Sequence, residues 1–376
     1  MKTVFMLVNY TPSDSSIGIT KKIGSELQAM RRMGMAVTYT AYDGDGVSVF
    51  DNQDTVVFHR KFPFSVGFIN RKIRYYWLEK VALDYLKQSE GFDLGYLRIG
   101  VPNGIFFRIC DVLKRKGAKL VGESHAYFPG IQYKSLIGKY IMAMYRLHSR
   151  QFPQYLSCFL VEGDLKEMHG VKAYAMNIGV ETGKIAPHTY VGDATSLNMI
   201  SVANENIYHG YDRLLMSLWT YKQKNPEAQV FIHLVGTISE KTKQMIEKYQ
   251  LEKSVILYGK RSGAELDEIY NKCNVGLGPF GQHRVGGKKD TGLKTKEYFA
   301  KGLPYIYSGS EPTVPEDYPY ICNFPSDESM VDFDLVWKFY ESYRNDPQVV
   351  QRMRDFAQAH YSWDTIMSEA LSHLEQ

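Results

Sequence analysis

Residues 274–309 read NVGLGPFGQHRVGGKKDTGLKTKEYFAKGLPYIYSG, and the interpretation of the chain starts from this stretch. Val275-Gly276-Leu277-Gly278-Pro279-Phe280 is an apolar run of the length of a short buried strand. A Gly-rich, basic loop follows, carrying His283, Arg284, Lys288 and Lys289. From Thr291 to Ala300 apolar residues recur at helical spacing, and Gly302-Leu303-Pro304 ends that helix. Tyr305-Ile306-Tyr307 resumes as a strand. Strand, glycine loop, helix, strand is the layout with which open α/β sheets hold phosphorylated ligands. The loop lets backbone N–H groups approach an anion, and the helix N-terminus adds a favourable dipole. Basic side chains beside that terminus would neutralise a diphosphate without a metal ion. Lys294 is the first candidate, because a lysine in the first helical turn opposes the helix dipole. Arg284 and Arg261 are the other suppliers of charge.

The same rhythm fills the second half of the chain. Asn198–Ala203 reads as a strand, and the segment Asn204 to Leu215, with His209-Gly210-Tyr211-Asp212-Arg213, opens a helix from that strand's C-terminal end. Val230–Gly236 and Val255–Arg261 repeat strand followed by Gly, and Gly263–Tyr270 is an amphipathic helix. His233 falls in mid-strand and reads as core. Helices are expected over 332–343 and 349–360, and a last one starts at Ser362, a good N-cap residue. Repeated units of this kind build a doubly wound sheet.

The first half begins with strand-like Val4–Val8, a polar loop, a helix over about 19–33 stopped by Gly34, and a strand at 36–40. This is a Rossmann-like opening without a G-x-G-x-x-G fingerprint; Gly18 either shapes a site or merely opens the helix. Asp43-Gly44-Asp45 sits among turn residues and is read as a turn, not as a metal-binding pair. Arg98 ends the strand Asp93–Ile99, and His125 follows the strand at 119–121, so both lie where ligand sites of parallel sheets gather. Residues 61–90 and 131–155 are basic, aromatic and amphipathic, with no Asp or Glu between Glu123 and Glu162. Such helices either pack on the sheet with a cationic rim or lie on an anionic lipid surface.

A chain of 376 residues suggests two domains, and 44% hydrophobic with 23% charged residues suits a well-packed protein. A net charge of +4 gives no reason to expect a nucleic-acid partner. Four cysteines, none in C-x-x-C spacing, read as free thiols in a reducing compartment. The apolar run before Asn9 is too short for a signal-peptide core, and no run approaches a membrane span, so a cytoplasmic location is expected.

Leu293-Lys294 with Glu297-Tyr298 and Ala300-x-Gly302-x-Pro304 resembles the donor-site signature of GT-B glycosyltransferases, in particular retaining family 4. The string HR…LK-x-x-EY…G-x-P, with HGYDR at 209–213, resembles a bacterial surface-polysaccharide branch of that family. The resemblance implies two Rossmann-like, doubly wound α/β domains facing across a cleft, with the C-terminal helix crossing back to the first. Residues 1–188 would form the acceptor domain, 189–358 the donor domain, with Thr189–Thr195 as linker, and 359–376 the returning helix. It implies that Glu297 binds the ribose hydroxyls and that the backbone at Gly292 and Leu293 meets the donor diphosphate. Eight positions before Glu297 stands Lys289, beside Asp290, where the family has a second acidic residue for the donor sugar. His209-Gly210 takes the family's Lys-Gly place and Asn204 lies where an Arg is usual; Gly259, Lys260 and Arg261 fall where the nucleobase is met. Gly18 would shape the acceptor cleft, His125 would face the donor sugar, and Arg98 completes a Tyr-x-Arg string typical of the branch. Met176–Glu181 resembles the family's turn towards the second domain.

The implied reaction is sugar transfer from a nucleotide-sugar, with UDP expected, to a glycan or lipid-linked oligosaccharide. It would be retaining and metal-independent, with no cofactor beyond the donor, at the inner face of a membrane. Two other readings stand beside it: a GT-B-fold nucleotide-sugar epimerase, and a non-catalytic nucleotide-sugar-binding partner of another transferase. The altered acidic pair and the absent Arg and Lys of 203–210 motivate the latter.

Overall fold

A computed structural model describes residues 1–13, 18–64, 67–124, 136–161, 165–192, 194–285, 292–309, 311 and 313–374. The chain divides into two compact units, Met1–Ile178 with Trp363–Gln376, and Gly179–Ser362.

In the first unit the strands are β1 (Thr3–Tyr10), β2 (Ala36–Asp43), β3 (Gly46–Phe50), β4 (Val56–Lys61), β5 (Leu94–Arg98), β6 (Lys119–Ser124), β7 (Cys158–Val161), β8 (Glu167–Met168) and β9 (Val171–Ala175). The helices are α1 (Gly18–Arg32), α2 (Gly67–Gln88), α3 (Gly104–Arg115), α4 (Leu136–Ser149) and α5 (Phe152–Tyr155). The sheet order is β4-β3-β2-β1-β5-β6-β7-β9-β8, parallel from β2 to β9 and antiparallel at both ends. Asp43-Gly44-Asp45 makes the β2–β3 hairpin, with Gly44 at φ 53° and Asp45 ion-paired to Lys61.

Because side chains alternate along a strand, β1 feeds two cores. Phe5 and Leu7 pack with α2 and α3, whereas Val4, Met6 and Val8 pack with α1. A continuous apolar strand is what burial on both faces demands. The last helix, α12 (Trp363–Ser372), belongs to the second of these layers; its Trp363, Ile366 and Met367 pack with Ile23, Leu27 and Met30 of α1.

The second unit holds β10 (Leu197–Val202), β11 (Val230–Val235), β12 (Val255–Gly259), β13 (Val275–Leu277), β14 (Tyr305–Ser308) and β15 (Ile321–Phe324). Its helices are α6 (Tyr211–Lys224), α7 (Glu240–Lys248), α8 (Gly263–Asn271), α9 (Leu293–Lys301), α10 (Phe333–Tyr343) and α11 (Val349–His360). All six strands are parallel in the order β12-β11-β10-β13-β14-β15, a doubly wound sheet whose winding reverses between β10 and β13.

The unit boundary departs from the expected one. The change falls between Ile178 and Gly179, inside Met176–Glu181, rather than at 188/189. Residues 188–191 are bonded into the second unit: His188 N–H donates to Lys301 O, its Nε2 lies 2.8 Å from Cys273 O, and Val191 N–H donates to Asn271 O. The second change, between Ser362 and Trp363, lies four residues beyond the expected 358/359 (362 − 358 = 4). Val180 there forms a bridge with Ser362.

Among the described residues no helix is long and apolar enough to cross a membrane. Of the basic aromatic segments, α2 turns Arg74 inward, flat on the Tyr42 ring at 3.5 Å, and leaves Tyr76 exposed. In α4, Lys139, Arg146 and Leu147 are exposed, as is Arg150 just beyond it.

Candidate functional site

At the reversal between β10 and β13, the loops that follow the two strands meet. They are stitched together. Phe280 N–H donates to His209 O at 3.0 Å, and Gly281 N–H donates to Tyr208 O at 2.9 Å. Gly210 makes the approach possible: its φ is 64°, and a Cβ there would lie 2.7 Å from the Phe280 carbonyl carbon. Gly236, at the end of β11, is under the same constraint, since a Cβ would lie 2.0 Å from Ala203 O.

Gly292 is the N-cap of α9, and the first turn of the helix holds no acidic residue. That N-terminus is the electropositive end of the helix. Thr295, Lys296, Tyr298, Phe299 and Ala300 are buried. That leaves Lys294 and Glu297, three residues apart, on one half-buried stripe. Lys294 Nζ donates to Ser201 Oγ at 2.9 Å, and that hydroxyl lies 2.8 Å from Tyr211 OH. The lysine therefore stands over the C-terminal end of β10. Glu297 is near enough to the Tyr270 and Tyr298 phenols to reinforce the rise in their pKa that burial causes.

His209 faces the same group. Its ring is buried, stacked on Tyr211 at 5.5 Å, and Nδ1 accepts the Asn206 N–H at 2.9 Å. Burial first, and the Lys294 charge second, push its pKa down to about 3. It is therefore neutral at ordinary pH, with its proton on Nε2, a donor without charge. Tyr298, fully buried, donates through its hydroxyl to both Ile200 O and Leu277 O at 2.9 Å, joining β10 and β13 at the reversal.

Arg284 is differently placed from the expectation of a cation facing a diphosphate. Its guanidinium is bonded to Glu328 through Nε (2.7 Å) and Nη2 (2.6 Å), and to Asp212 through Nη1 (2.7 Å). Arg284 first, and His283 second, hold the Glu328 carboxyl down to about 2. Arg284 is thus a loop tie whose charge is already balanced.

Asn204 is exposed and accepts the Thr237 N–H at 3.2 Å. Gly259 (φ 67°), Lys260 and Arg261 form an exposed turn at the end of β12, where Arg261 reaches Glu265 at 3.5 Å. His233 is a core residue, bonded to Tyr258 OH and Asn198 Oδ1.

In the first unit Arg98 is 6% exposed and forks onto Glu123 at 3.0 and 2.8 Å, with Glu26 at 3.8 Å. Burial alone would lower its pKa; the Glu123 and Glu26 charges outweigh that and raise it. Lys22 bonds to both glutamates, so two cations face two buried carboxylates. This is a closed ion cluster rather than a guanidinium presented to an acceptor. A small pocket lined by Lys22, Glu123, Ser124, Leu160, Val161, Met176 and Ile178 lies beside it. Gly18 is the first residue of α1. His125 and Asp290 lie outside the described residues.

Two basic residues were missed by sequence reasoning. Lys296 is 1% exposed, its Nζ 5.6 Å from the Tyr361 ring centre. Arg213 is 3% exposed and bonded to two loops and the end of β14. The helical phase of α9, which puts Lys296 beside Thr295 and Phe299, was the one signal available for the first.

No protein-family model matches the sequence, and no curated protein matches it. Solved structures do. A glycosyltransferase from Rickettsia africae superposes with a TM-score of 0.64 at 12% identity, over 100% of this chain and 98% of that one. Sucrose-phosphate synthase from Thermosynechococcus elongatus gives 0.59 at 14% identity, over 100% and 99%. The pneumococcal O-GlcNAc transferase in complex with UDP and GlcNAc gives 0.53 at 11% identity, over 100% and 98%. At such identities the likeness is one of architecture. The architecture is GT-B: two doubly wound α/β domains, with the closing helix returned to the first.

Proposed function

We propose that this chain is a glycosyltransferase that moves a sugar from a nucleotide-sugar to a glycan or lipid-linked acceptor. We further assign it to retaining family 4 and its surface-polysaccharide branch, with UDP as the nucleotide. The observation that carries the reading is the convergence of Lys294, neutral His209 and the N-terminus of α9 on one strand reversal. The bond that breaks joins the sugar's anomeric carbon to the diphosphate, and its electron pair stays on the diphosphate oxygen. Lys294 and the first amides of α9 stabilise that charge, and His209 Nε2–H adds a neutral donor. Glu297 holds the ribose hydroxyls, and the turn at 259–261 meets the base. The acceptor hydroxyl then bonds to the anomeric carbon on the face the diphosphate left, as retention requires, and its proton passes to the departing diphosphate oxygen.

Arg284 is ion-paired to Asp212 and Glu328, and Arg261 lies beside Glu265, which supports assigning the diphosphate charge to Lys294. The UDP assignment is supported by the GT-B neighbour solved with UDP. The exposed basic and apolar side chains of α4 fit a peripheral contact with anionic lipid. The test is donor turnover at subsaturating UDP-sugar, with Glu297→Ala and Lys294→Ala beside the wild type. Both variants are expected to lose most activity, and full activity in either contradicts the assignment. UDP binding with no turnover on any sugar or acceptor would favour the binding-partner reading instead.

A further inference from the structure

Arg213 sits in the first turn of α6. It is buried, and each of its five N–H bonds has an acceptor. Nη1 donates to Phe280 O and Ser308 Oγ, both at 3.0 Å. Nη2 donates to Pro325 O at 3.1 Å and Ser329 Oγ at 3.4 Å, and Nε to Ser329 O at 2.6 Å. Ser308 passes the contact on, donating to Pro325 O at 2.6 Å. These acceptors lie at the end of β14 and just beyond the ends of its neighbours β13 and β15. The nearest carboxylate is an exposed one, Asp327, at 3.9 Å. The next residue back, Asp212, holds Arg284 on the same β13 loop.

We propose that Arg213 is the positioning residue of the donor site, a claim that rests on the function proposed above. One planar fork fixes two loops and the end of β14 at once, and a lysine, with three donors on one atom, cannot span the same acceptors. With Phe280 O held by Arg213 and Phe280 N–H held by His209 O, the β13 loop leaves its strand in one direction only. The same loop is bonded to Tyr208 and His209, so its hold fixes where the His209 ring stands beside Lys294. Arg213 itself does not touch the diphosphate.

The experiment uses the full chain and two readouts. Hydrogen–deuterium exchange without nucleotide follows peptides covering 278–285 and 325–331, and calorimetry measures UDP affinity. In Arg213→Lys both loops should exchange faster together while β10 and β11 stay protected, and the UDP Kd should rise about tenfold, on the scale of one lost charge-assisted bond. Should this variant fail to fold, Ser308→Ala, which removes one of the five Arg213 acceptors and the relay to Pro325, should shift both readouts the same way by less. Unchanged exchange in either loop overturns the clamp. Loosened loops with unchanged UDP affinity overturn the positioning role and leave the donor site standing. Loosened loops in a chain whose wild type binds no nucleotide reject the donor reading, and the positioning role with it.

Discussion

Replacing Lys294 with methionine keeps the length of the side chain and removes its charge. In the structure that charge stands 2.9 Å from Ser201 Oγ at the end of β10. With Arg284 held by two carboxylates, no second described cation is assigned to the diphosphate. A hydrogen bond to a charged group contributes about 1.5–3 kcal/mol, so the UDP Kd should rise roughly 10- to 150-fold. The loss should shrink as salt is added, because an ionic contact near the surface is screened. A second readout follows from His209. Lys294 is the second cause of its low pKa, after burial, so Lys294→Met should raise the His209 pKa without restoring its ordinary value. Calorimetry with UDP and a ring-proton titration of His209 measure the two effects. Unchanged UDP affinity in a folded variant would refute the reasoning.

Three further outcomes are expected. Tyr298→Phe leaves the ring in place but withdraws the donor shared by Ile200 O and Leu277 O, and should lower the stability of the second unit by about 1–3 kcal/mol in urea unfolding; no change would mean that water or another donor replaces it. Glu79 is fully buried and bonded to Asn103, and burial raises its pKa to about 8. The folded state thus holds a proton that the unfolded state releases near 4.5, so stability from this group falls as pH rises from about 4.5 through 8. Glu79→Gln should therefore gain on the wild type over that range, and parallel pH profiles would contradict it. His209 and His233 have the opposite sign, with pKa values lowered to about 3 and about 4. The unfolded chain takes up protons there first, so stability of the second unit should fall as pH drops below about 6.5, as urea midpoints at pH 7 and pH 5 would show.

Much of the donor half is legible from local pattern. The stretch 274–309 announces strand, loop, helix and strand because each element carries its own periodicity and its own glycine or proline stop. Lys294 and Glu297 share a stripe because they are three apart on a helix. What was not legible depends on distant partners. Arg284 looks like a free loop cation until Asp212, 72 residues earlier, and Glu328, 44 residues later, close on it. Arg98 looks like a site residue until Glu123 and Glu26 bury it. Arg213 stands in the sequence only as part of the HGYDR string, because its acceptors are mostly main-chain oxygens 67 to 116 residues away, which leave no mark on composition. The β3–β4 meander, V-S-V-F and then V-V-F-H-R, lacks a clean apolar–polar alternation, so its local signal is weaker than that of the parallel strands.

The central claim is that the second unit binds a nucleoside diphosphate through Lys294 and the start of α9. Thermal unfolding with a panel of nucleotides and nucleotide-sugars, each with and without EDTA, tests it most directly. At a hundred times its Kd a ligand adds about 2.7 kcal/mol, which for a unit of this size raises Tm by roughly 5–10 °C. The account predicts such a shift with UDP or one UDP-sugar, unaltered by EDTA. No shift with any nucleotide would contradict the donor site, and a shift abolished by EDTA would contradict the assignment of the diphosphate charge to Lys294.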